Sequence, residues 1–526
     1  MKSIYFTLLS LTVCAAPLTA QPTSEGKGHN YTPDRIQSKS NWLSGENPAG
    51  LITNYITKSY AQASYGYQSG TYRSITEAPS LNRFDLKTES YKRFDRFSVY
   101  GRLEYLNDRA KDRTWFGSMH PEKTSLIVGD SISGQSREEY YMLDGGFAYE
   151  MGKGFSIGAM INYEGASMAK RKDPRNENYF MNMRIRPGIT YRSQVVNAGL
   201  NFDFDRFTQS VNYNNYGTNE KATYYFVIDG LWFYRAFVAG STNSPEPRHT
   251  GMTYGGSGQI ELSISNFKFF NQLSVTYGTI DRYSRKNVEM MGSEENLNYK
   301  YLGILSYSSG SMDHLLKLKY NYSDIMTFSN IQRLEYILGS MSTQQWYQYG
   351  KILKLSGNNK SFGADYSLYL QRNDWSSSWI VQIGFESYER SLEYNIVPIL
   401  YSQQIKFNQI NFGITKNIIT CQKSFLDLNL NANYFTGGNG YPFKENIPQG
   451  LTMNQVSVFT DLIQKEYDYL TSDRFVIGGK VRFTHELPTR IPMSIYAEAK
   501  AHYTSVSSGM PDAFRRGIVG TIGLNF

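Results

Sequence analysis

The chain has 526 residues, too many for one ordinary soluble domain of roughly 100–200 residues, yet it shows no linker, long charge run or low-complexity tract. Aromatic residues make up 15% of it, with 43 Tyr and 45 Gly, while the mean hydropathy is only −0.47; this excludes a helical membrane protein and suits strands with two unlike faces. A formal charge of +8 is thin over this length, and without a dense Lys/Arg run it leaves no footprint for nucleic acid.

Met1 to Ala20 has the layout of a secretory signal peptide: Lys2 is the basic start, Ile4 to Ala16 the apolar middle, and Ala20 the small residue before the cut. The apolar run is too short to span a bilayer. Cys14 is preceded by Val13 and lies inside the apolar run, so it reads as filler and not as a lipidation site. Removal of 1–20 leaves Cys421 alone, which excludes a disulfide within the mature chain. No later stretch approaches 18 consecutive apolar residues, so an exported chain of this kind is periplasmic, secreted or a barrel.

Residues 21–57 are polar and turn-rich and carry Asn47-Pro48-Ala49-Gly50-Leu51. Pro fixes φ and Gly permits positive φ, so a simple turn is one reading. The same five residues resemble the N-P-A-G-L near the start of fatty-acid-transporter-type barrels, where it follows a segment that plugs the lumen. That resemblance implies a periplasmic, plug-like segment with Asn47, Pro48 and Gly50 at its entry.

From Lys58 to the end the texture is strand after strand. Phe155, Ile157, Ala159, Ile161 and Tyr163 follow the Gly152-Lys153-Gly154 turn; Phe475, Ile477, Val481 and Phe483 alternate with Arg474, Lys480 and Arg482. Side chains alternate faces along a strand, so each run is a ribbon with one greasy side. Short connections fall near 92–95, 152–154, 193–195, 265–267, 308–313, 373–377, 416–423 and 486–491. Longer ones fall near 69–81, 107–138, 168–180, 207–251, 282–296, 324–360, 389–403, 436–471 and 505–514. Eight short turns alternating with nine long loops predict an all-β, closed antiparallel transmembrane barrel over 58–526, of about 18 strands (16–20), with long extracellular loops. Two places leave the count open: Ala222 to Trp232 suits an extra strand pair, and 346–356 suits a strand extension or a strand of its own. A propeller or β-helix would need a fixed sequence repeat, and none is present.

The last strand, Arg515 to Phe526, puts Ile518, Gly520, Ile522, Leu524 and Phe526 on one side. It resembles the C-terminal assembly signal of bacterial outer-membrane barrels, with Leu524 and Phe526 at the recognised positions and Thr521 where that pattern prefers Gly. The resemblance implies outer-membrane lipid and the barrel-assembly machinery as partners.

Chemistry is sparse. Six histidines occur without metal-ligand spacing, so no metal and no cofactor are expected. Gly129-Asp130-Ser131 resembles the G-D-S block of a lipase/esterase superfamily but lacks its D-x-x-H, and it reads as a loop turn. His502 shares a strand face with Ser494 and Thr504; a lumen histidine in a polar network is favoured over a barrel-wall lipase, and the chain is read as a non-enzyme. Inward parity collects both signs of charge, among them Arg102, Glu104, Asp365 and Asp427, with Arg184, Arg186, Lys480, Arg482, Glu498 and Lys500 as lumen candidates. Opposed charges in a lumen cross-link its walls; a mild cationic excess would favour anionic solutes. Aromatic loops carrying Trp115, Phe116, Trp232, Phe233, Tyr441 and Phe443 either stack on a sugar, dock a partner, or fold inward over the mouth.

The W-L-S-G-E-N-P-A-G-L segment, Met183 to Tyr191 and the C-terminal strand together resemble uncharacterised outer-membrane barrels of Bacteroidota-type bacteria. That family likeness implies a TonB-dependent receptor or a surface lipoprotein as partner. The expected function is passage, or accessory uptake or export, of a small solute; the alternative is a structural or adhesive barrel with a closed lumen.

Overall fold

A computed structural model describes residues 40–54, 57–217, 222–242, 244–284, 289–337, 344–373, 376–447, 457–489 and 492–526. The segment read as a signal peptide, 1–20, and residues 21–39 lie outside them. In chain order the strands are β1 (Lys58–Gly70), β2 (Ser80–Arg93), β3 (Phe97–Arg113), β4 (Leu126–Gly129), β5 (Gly134–Gly152), β6 (Phe155–Lys170), β7 (Arg175–Arg192) and β8 (Val196–Asn214). They continue with β9 (Tyr224–Asp229), β10 (Tyr234–Val238), β11 (Pro247–Ile264), β12 (Phe267–Ser284), β13 (Met290–Ser309), β14 (Met312–Tyr336), β15 (Gln344–Asn373) and β16 (Ser376–Ile396). The last are β17 (Ile399–Cys421), β18 (Ser424–Gly437), β19 (Tyr441–Asn446), β20 (Arg474–Leu487), β21 (Met493–Val506) and β22 (Phe514–Asn525).

Eighteen of these pair antiparallel, each with its neighbour in sequence, and β22 returns to β1 to close the barrel, with Ile522 opposite Ala63. Closure leaves no strand edge unpaired, the condition under which β-structure survives in hydrocarbon. At the seam the backbone of Phe526 exchanges hydrogen bonds with Ser59, 2.9 and 3.0 Å, so the terminal residue completes the ladder while its ring stays 50% exposed.

The wall shows the alternation read from the sequence. On β20, Phe475, Ile477, Val481 and Phe483 are exposed, and the residues between them point inward. The exposed rings form two girdles. Phe155 packs on Tyr191 (4.9 Å between centroids) and Phe267 on Tyr307 (4.4 Å) at the short-turn end; Tyr105 packs on Tyr141 (5.1 Å) nearer the other. From Phe267 to Tyr277 on β12, ten residues of strand rise roughly 33 Å. At a tilt of about 40° that is an apolar band roughly 25 Å tall, the height of bilayer hydrocarbon facing such barrels.

All eight short connections fall between strands where the sequence put them, with residues 374–375 and 490–491 of two of them outside the described residues. The long-loop end differs. Region 389–403 shrinks to a two-residue link, with Ile396 pairing Ile399, and 324–360 is mostly a hairpin continuing to Tyr336 opposite Gln344. Pairing outlasts the membrane band because backbone groups satisfied across strands need no lipid to hold them. Residues 346–356 extend β15, and a strand pair does form near 222–232 but runs from 224 to 238, with only β9 inside that stretch; β9 and β10 join β4 in a separate three-stranded sheet. A helix, Thr460–Thr471, is absent from the sequence reading: its apolar signal is one turn, Leu462 and Ile463. Among the described residues no helix is long and apolar enough to cross a membrane.

Candidate functional site: a chamber between two closures

Inside the short-turn end lies the segment 40–54. It makes two 3-10 turns, Asn41–Ser44 and Pro48–Thr53, the second opened by Pro48 at its first position and capped by Asn47 Oδ1, which accepts from the Ala49 amide at 3.0 Å. Pro48, Gly50 and Ile52 are buried against the inner wall. Asn47 Nδ2 faces the carbonyls of Ile189 and Leu200 and Gln259 Oε1, at 3.0, 3.1 and 3.0 Å. Trp42 Nε1 and Asn41 Nδ2 both donate to Glu261, at 3.2 and 3.1 Å. The approach is close because the wall is glycine here: a Cβ on Gly188 would sit 2.2 Å from Asn47 Oδ1, and one on Gly199 would sit 2.9 Å from the Trp42 ring. The N-P-A-G-L stretch is therefore both a turn and a body seated in the lumen.

At the other end three long loops fold inward. The β4–β9–β10 sheet packs on the inner faces of the wall, with Phe233 stacked on Tyr394 (3.9 Å between centroids) and Tyr401 beside it (4.9 Å). Trp115, Phe459 and Trp232 close over it, and Trp232 is only 7% exposed. Of the three fates open to these aromatics, the inward one is observed. Buried charge pins the cap. Arg282, 1% exposed, pairs with Asp229 and donates to the Ile228 carbonyl at 3.1 Å, while Arg235 stands 3.5 Å from the same carboxylate. Burial pushes the Asp229 carboxyl upward, but Arg282 and Arg235 outweigh it and hold it below the usual carboxylate range. The helix 460–471 is tied to the wall by Arg390 to Glu466, 2.8 Å, and to the cap by Trp232 Nε1 to Glu466, 2.8 Å.

A third anchor is the loop between β3 and β4. His120 hydrogen-bonds Glu122 (3.1 Å) and Glu164 on the wall (2.8 Å), and its ring lies 4.4 Å from that of Phe180. Burial lowers the imidazole pKa, but the two carboxylate hydrogen bonds outweigh burial and raise it above the ordinary histidine range. Asp130 of the G-D-S block is buried and bound to Lys170 Nζ at 2.5 Å; burial raises its pKa while that ammonium opposes the rise. The block is a loop turn with a structural carboxylate.

Between the two closures is a cavity of about 820 Å³. Glu46 bounds it on one side and Leu231, Trp232 and Glu466 on the other. Its charged lining is balanced: Lys123, Arg184, Arg186, Lys300 and Arg390 against Glu46, Glu122, Asp203, Asp205, Glu294 and Glu466. Most of these are already paired, Arg184 with Asp205 at 2.8 Å and Arg186 with Asp203. The cationic excess counted along the whole lumen does not extend to the chamber: the wall sets Asp205 and Asp203 beside Arg184 and Arg186, and the helix sets Glu466 beside Arg390. Four buried polar atoms of the lining make no hydrogen bond within the protein: Asn296 Oδ1, Asn359 Oδ1, Gln403 Nε2 and Arg390 Nε. They are two acceptors and two donors, and Gln403 is 1% exposed. The sequence reading missed these amides, since Asn and Gln in a strand carry no signal apart from inward parity.

The other lumen candidates gather elsewhere. Lys480, Arg482, Glu498 and Lys500 face inward on β20 and β21, separated from β7 by β22, β1, β2, β3, β5 and β6 along the shorter way round the barrel. Glu498 lies 2.9 Å from Lys500 and 4.0 Å from Arg482, whose guanidinium covers the Tyr496 ring at 3.7 Å. This is a wall cross-link, and none of the four lines the chamber. His502 and Ser494 share a face but stand eight residues apart on β21, roughly 26 Å. Ser494 Oγ accepts from Asn525 instead, at 2.9 Å. No group of three or more His, Cys, Asp or Glu able to hold a metal occurs among the described residues.

Several solved structures share the general shape. The ferric preacinetobactin receptor BauA of Acinetobacter baumannii is 8% identical, with 90% of this chain and 80% of that one covered at a TM-score of 0.39. The outer membrane transporter YddB of Escherichia coli is 7% identical, covering 89% and 80% at 0.40, and the RagAB peptide importer is 7% identical, covering 90% and 87% at 0.37. At such identity and TM-score nothing about function passes from them to this chain. No curated protein matches it in sequence. The profile of one family does match, over residues 48–526, from the N-P-A-G-L turn to the terminal phenylalanine, and the chain belongs to that family, the Family of unknown function (DUF6850).

Proposed function

We propose that the protein is an outer-membrane barrel passing a small, polar, overall neutral solute through a gated lumen. The segment 40–54 is the plug at the periplasmic mouth, and the inward-folded loops are the gate outside. The observation that carries this is the chamber between them, whose lining sets five cations against six anions and, among the described residues, includes Asn296, Asn359, Arg390 and Gln403, each with one buried polar atom left unpaired. Unpaired buried polar groups are costly, and a solute offering both donors and acceptors relieves that cost once these side chains turn toward it. The signal-like leader, the belt height and the closed wall support the location. A partner receptor or surface lipoprotein would deliver the solute to the gate, and co-purification from outer membranes without crosslinking tests that.

The covered mouths favour one second reading, a structural or adhesive barrel whose lumen passes nothing. Planar-bilayer conductance separates the two. Passage predicts a quiet wild type and bursts of conductance once Glu466→Gln loosens the gate and Gly188→Ala unseats the plug in the same chain. Silence in that double variant, with the barrel folded, leaves only the second reading.

A further inference from the structure

The outer surface of the barrel is not uniform in charge just beyond the girdle at the long-loop end. On β3 the outward residues after Tyr105 are Asn107, Arg109 and Lys111; on β5, those before Tyr141 are Glu139 and Arg137; on β22, Arg516 precedes Ile518. Arg109, Lys111, Arg137 and Arg516 are all exposed. The register assembles them. Arg109 lies directly opposite Arg137, and Lys111 connects across Ser80 of β2 and Ser69 of β1 to Arg516. The acids on this arc are Glu139, 2.7 Å from Arg137 and also held by Asn107 Nδ2 at 3.1 Å, and Asp112, exposed beside Lys111 in the chain. Around the same level on β12 to β17 the outward residues are Asp281, Glu295, Asp324, Glu389 and Glu393, with Lys351 paired to Glu295, Lys406 paired to Glu389 and Lys360 directly opposite Glu389.

The geometry points to the β22–β1–β2–β3–β5 arc as a binding site for the phosphate groups of an anionic lipid in the leaflet at the loop end. Arg109 and Arg137 lie four residues and Lys111 six residues past the Tyr105–Tyr141 pair, roughly 10–15 Å along the barrel axis, the level of the headgroups. Two arginines opposite one another present planar forks suited to phosphate oxygens, and the Tyr105–Tyr141 pair beneath them supports the first carbons of the lipid chains. Like charges directly opposite on a sheet are unfavourable unless an anion sits between them. The opposite arc sets five carboxylates against Lys351, Lys360 and Lys406, a net negative charge, so the barrel carries an anionic lipid preferentially on the arginine side.

This rests on the reading that the apolar band sits in a bilayer, and the test separates the two. The full-length protein in detergent micelles is titrated with phosphatidic acid, phosphatidylcholine and inorganic phosphate, with bound lipid counted by native mass spectrometry. Wild type is expected to retain phosphatidic acid over phosphatidylcholine, and Arg109→Gln/Lys111→Gln/Arg137→Gln to weaken it roughly 10-fold or more. Lys351→Gln/Lys406→Gln on the opposite arc should change nothing. Equal retention by wild type and the triple variant overturns the site. Competition by inorganic phosphate at the lipid's own concentration overturns the lipid as its source. Arg137→Gln alone, checked for the heat-modifiable folded band, guards against misfolding of the triple variant. Failure of the wild type to insert into neutral phosphatidylcholine vesicles would instead remove the membrane reading itself.

Discussion

Gly188→Ala places a methyl group where the wall now admits the segment 40–54. The new Cβ would stand 2.2 Å from Asn47 Oδ1 and 2.9 Å from Pro48 Cδ, so the segment must retreat by about an ångström to reach ordinary contact. Hydrogen bonds of 3.0–3.1 Å from Asn47 Nδ2 to Ile189, Leu200 and Gln259 do not survive that shift. Nδ2 has two protons, so two bonds are lost, worth about 1–3 kcal/mol together. A loss of about 1–3 kcal/mol in seating raises the unseated population roughly 5- to 150-fold. Amide exchange reads this directly, because exchange through local opening reports the opening free energy. The amides of Gly45, Gly50 and Asn54, hydrogen-bonded inside the segment, should exchange faster by that factor, while β7 and β8 stay protected. Asn47→Ala acts on the same contacts, so the double variant should be clearly less than additive. Unchanged exchange in 40–54, or full additivity, would refute the claim that Gly188 and Asn47 form one seat.

Asp229→Asn leaves Arg282 buried without its counter-charge and should destabilise the cap by about 3–5 kcal/mol, seen as a fall in the protease resistance of the 215–246 loop. Glu466→Gln weakens two charge-assisted bonds, to Arg390 and Trp232, and should cost about 1–3 kcal/mol, with a red shift of tryptophan emission. His120 has a raised pKa in the docked loop, so its share of docking is fully present below the ordinary histidine value. It is lost as pH rises through the raised one. Exchange in 114–125, corrected for intrinsic rate, should quicken across that window, and His120→Gln should abolish the pH dependence. Removing Phe526 deletes two backbone bonds at the seam and the exposed terminal ring, and should lower the folded, heat-modifiable fraction in cells without altering secretion across the inner membrane.

The barrel was legible in the sequence because its signals are local. Facing is set by parity, so Phe475, Ile477 and Val481 declare an outer surface without reference to any other strand, and the eight turns follow from residues adjacent to them. Strand count and closure then follow, since β-structure in hydrocarbon cannot leave an edge. Parity also turned Arg184 and Glu498 inward, but it is blind to position around the wall, so it joined two clusters that lie on different sides. What the loops do was not legible. Trp232 and Phe233 are the same aromatic pair whether they stack on a sugar or on Tyr394, and only the wall's inner faces decide. Arg282 with Asp229, Arg390 with Glu466, and Asn47 with Gln259 are 53, 76 and 212 residues apart. Their partners are chosen when the sheet curls shut and brings inward faces within reach, a choice no stretch of sequence contains. The chamber is a product of that curling: the sequence supplies its amides one at a time, and the closed tertiary structure makes them face one another.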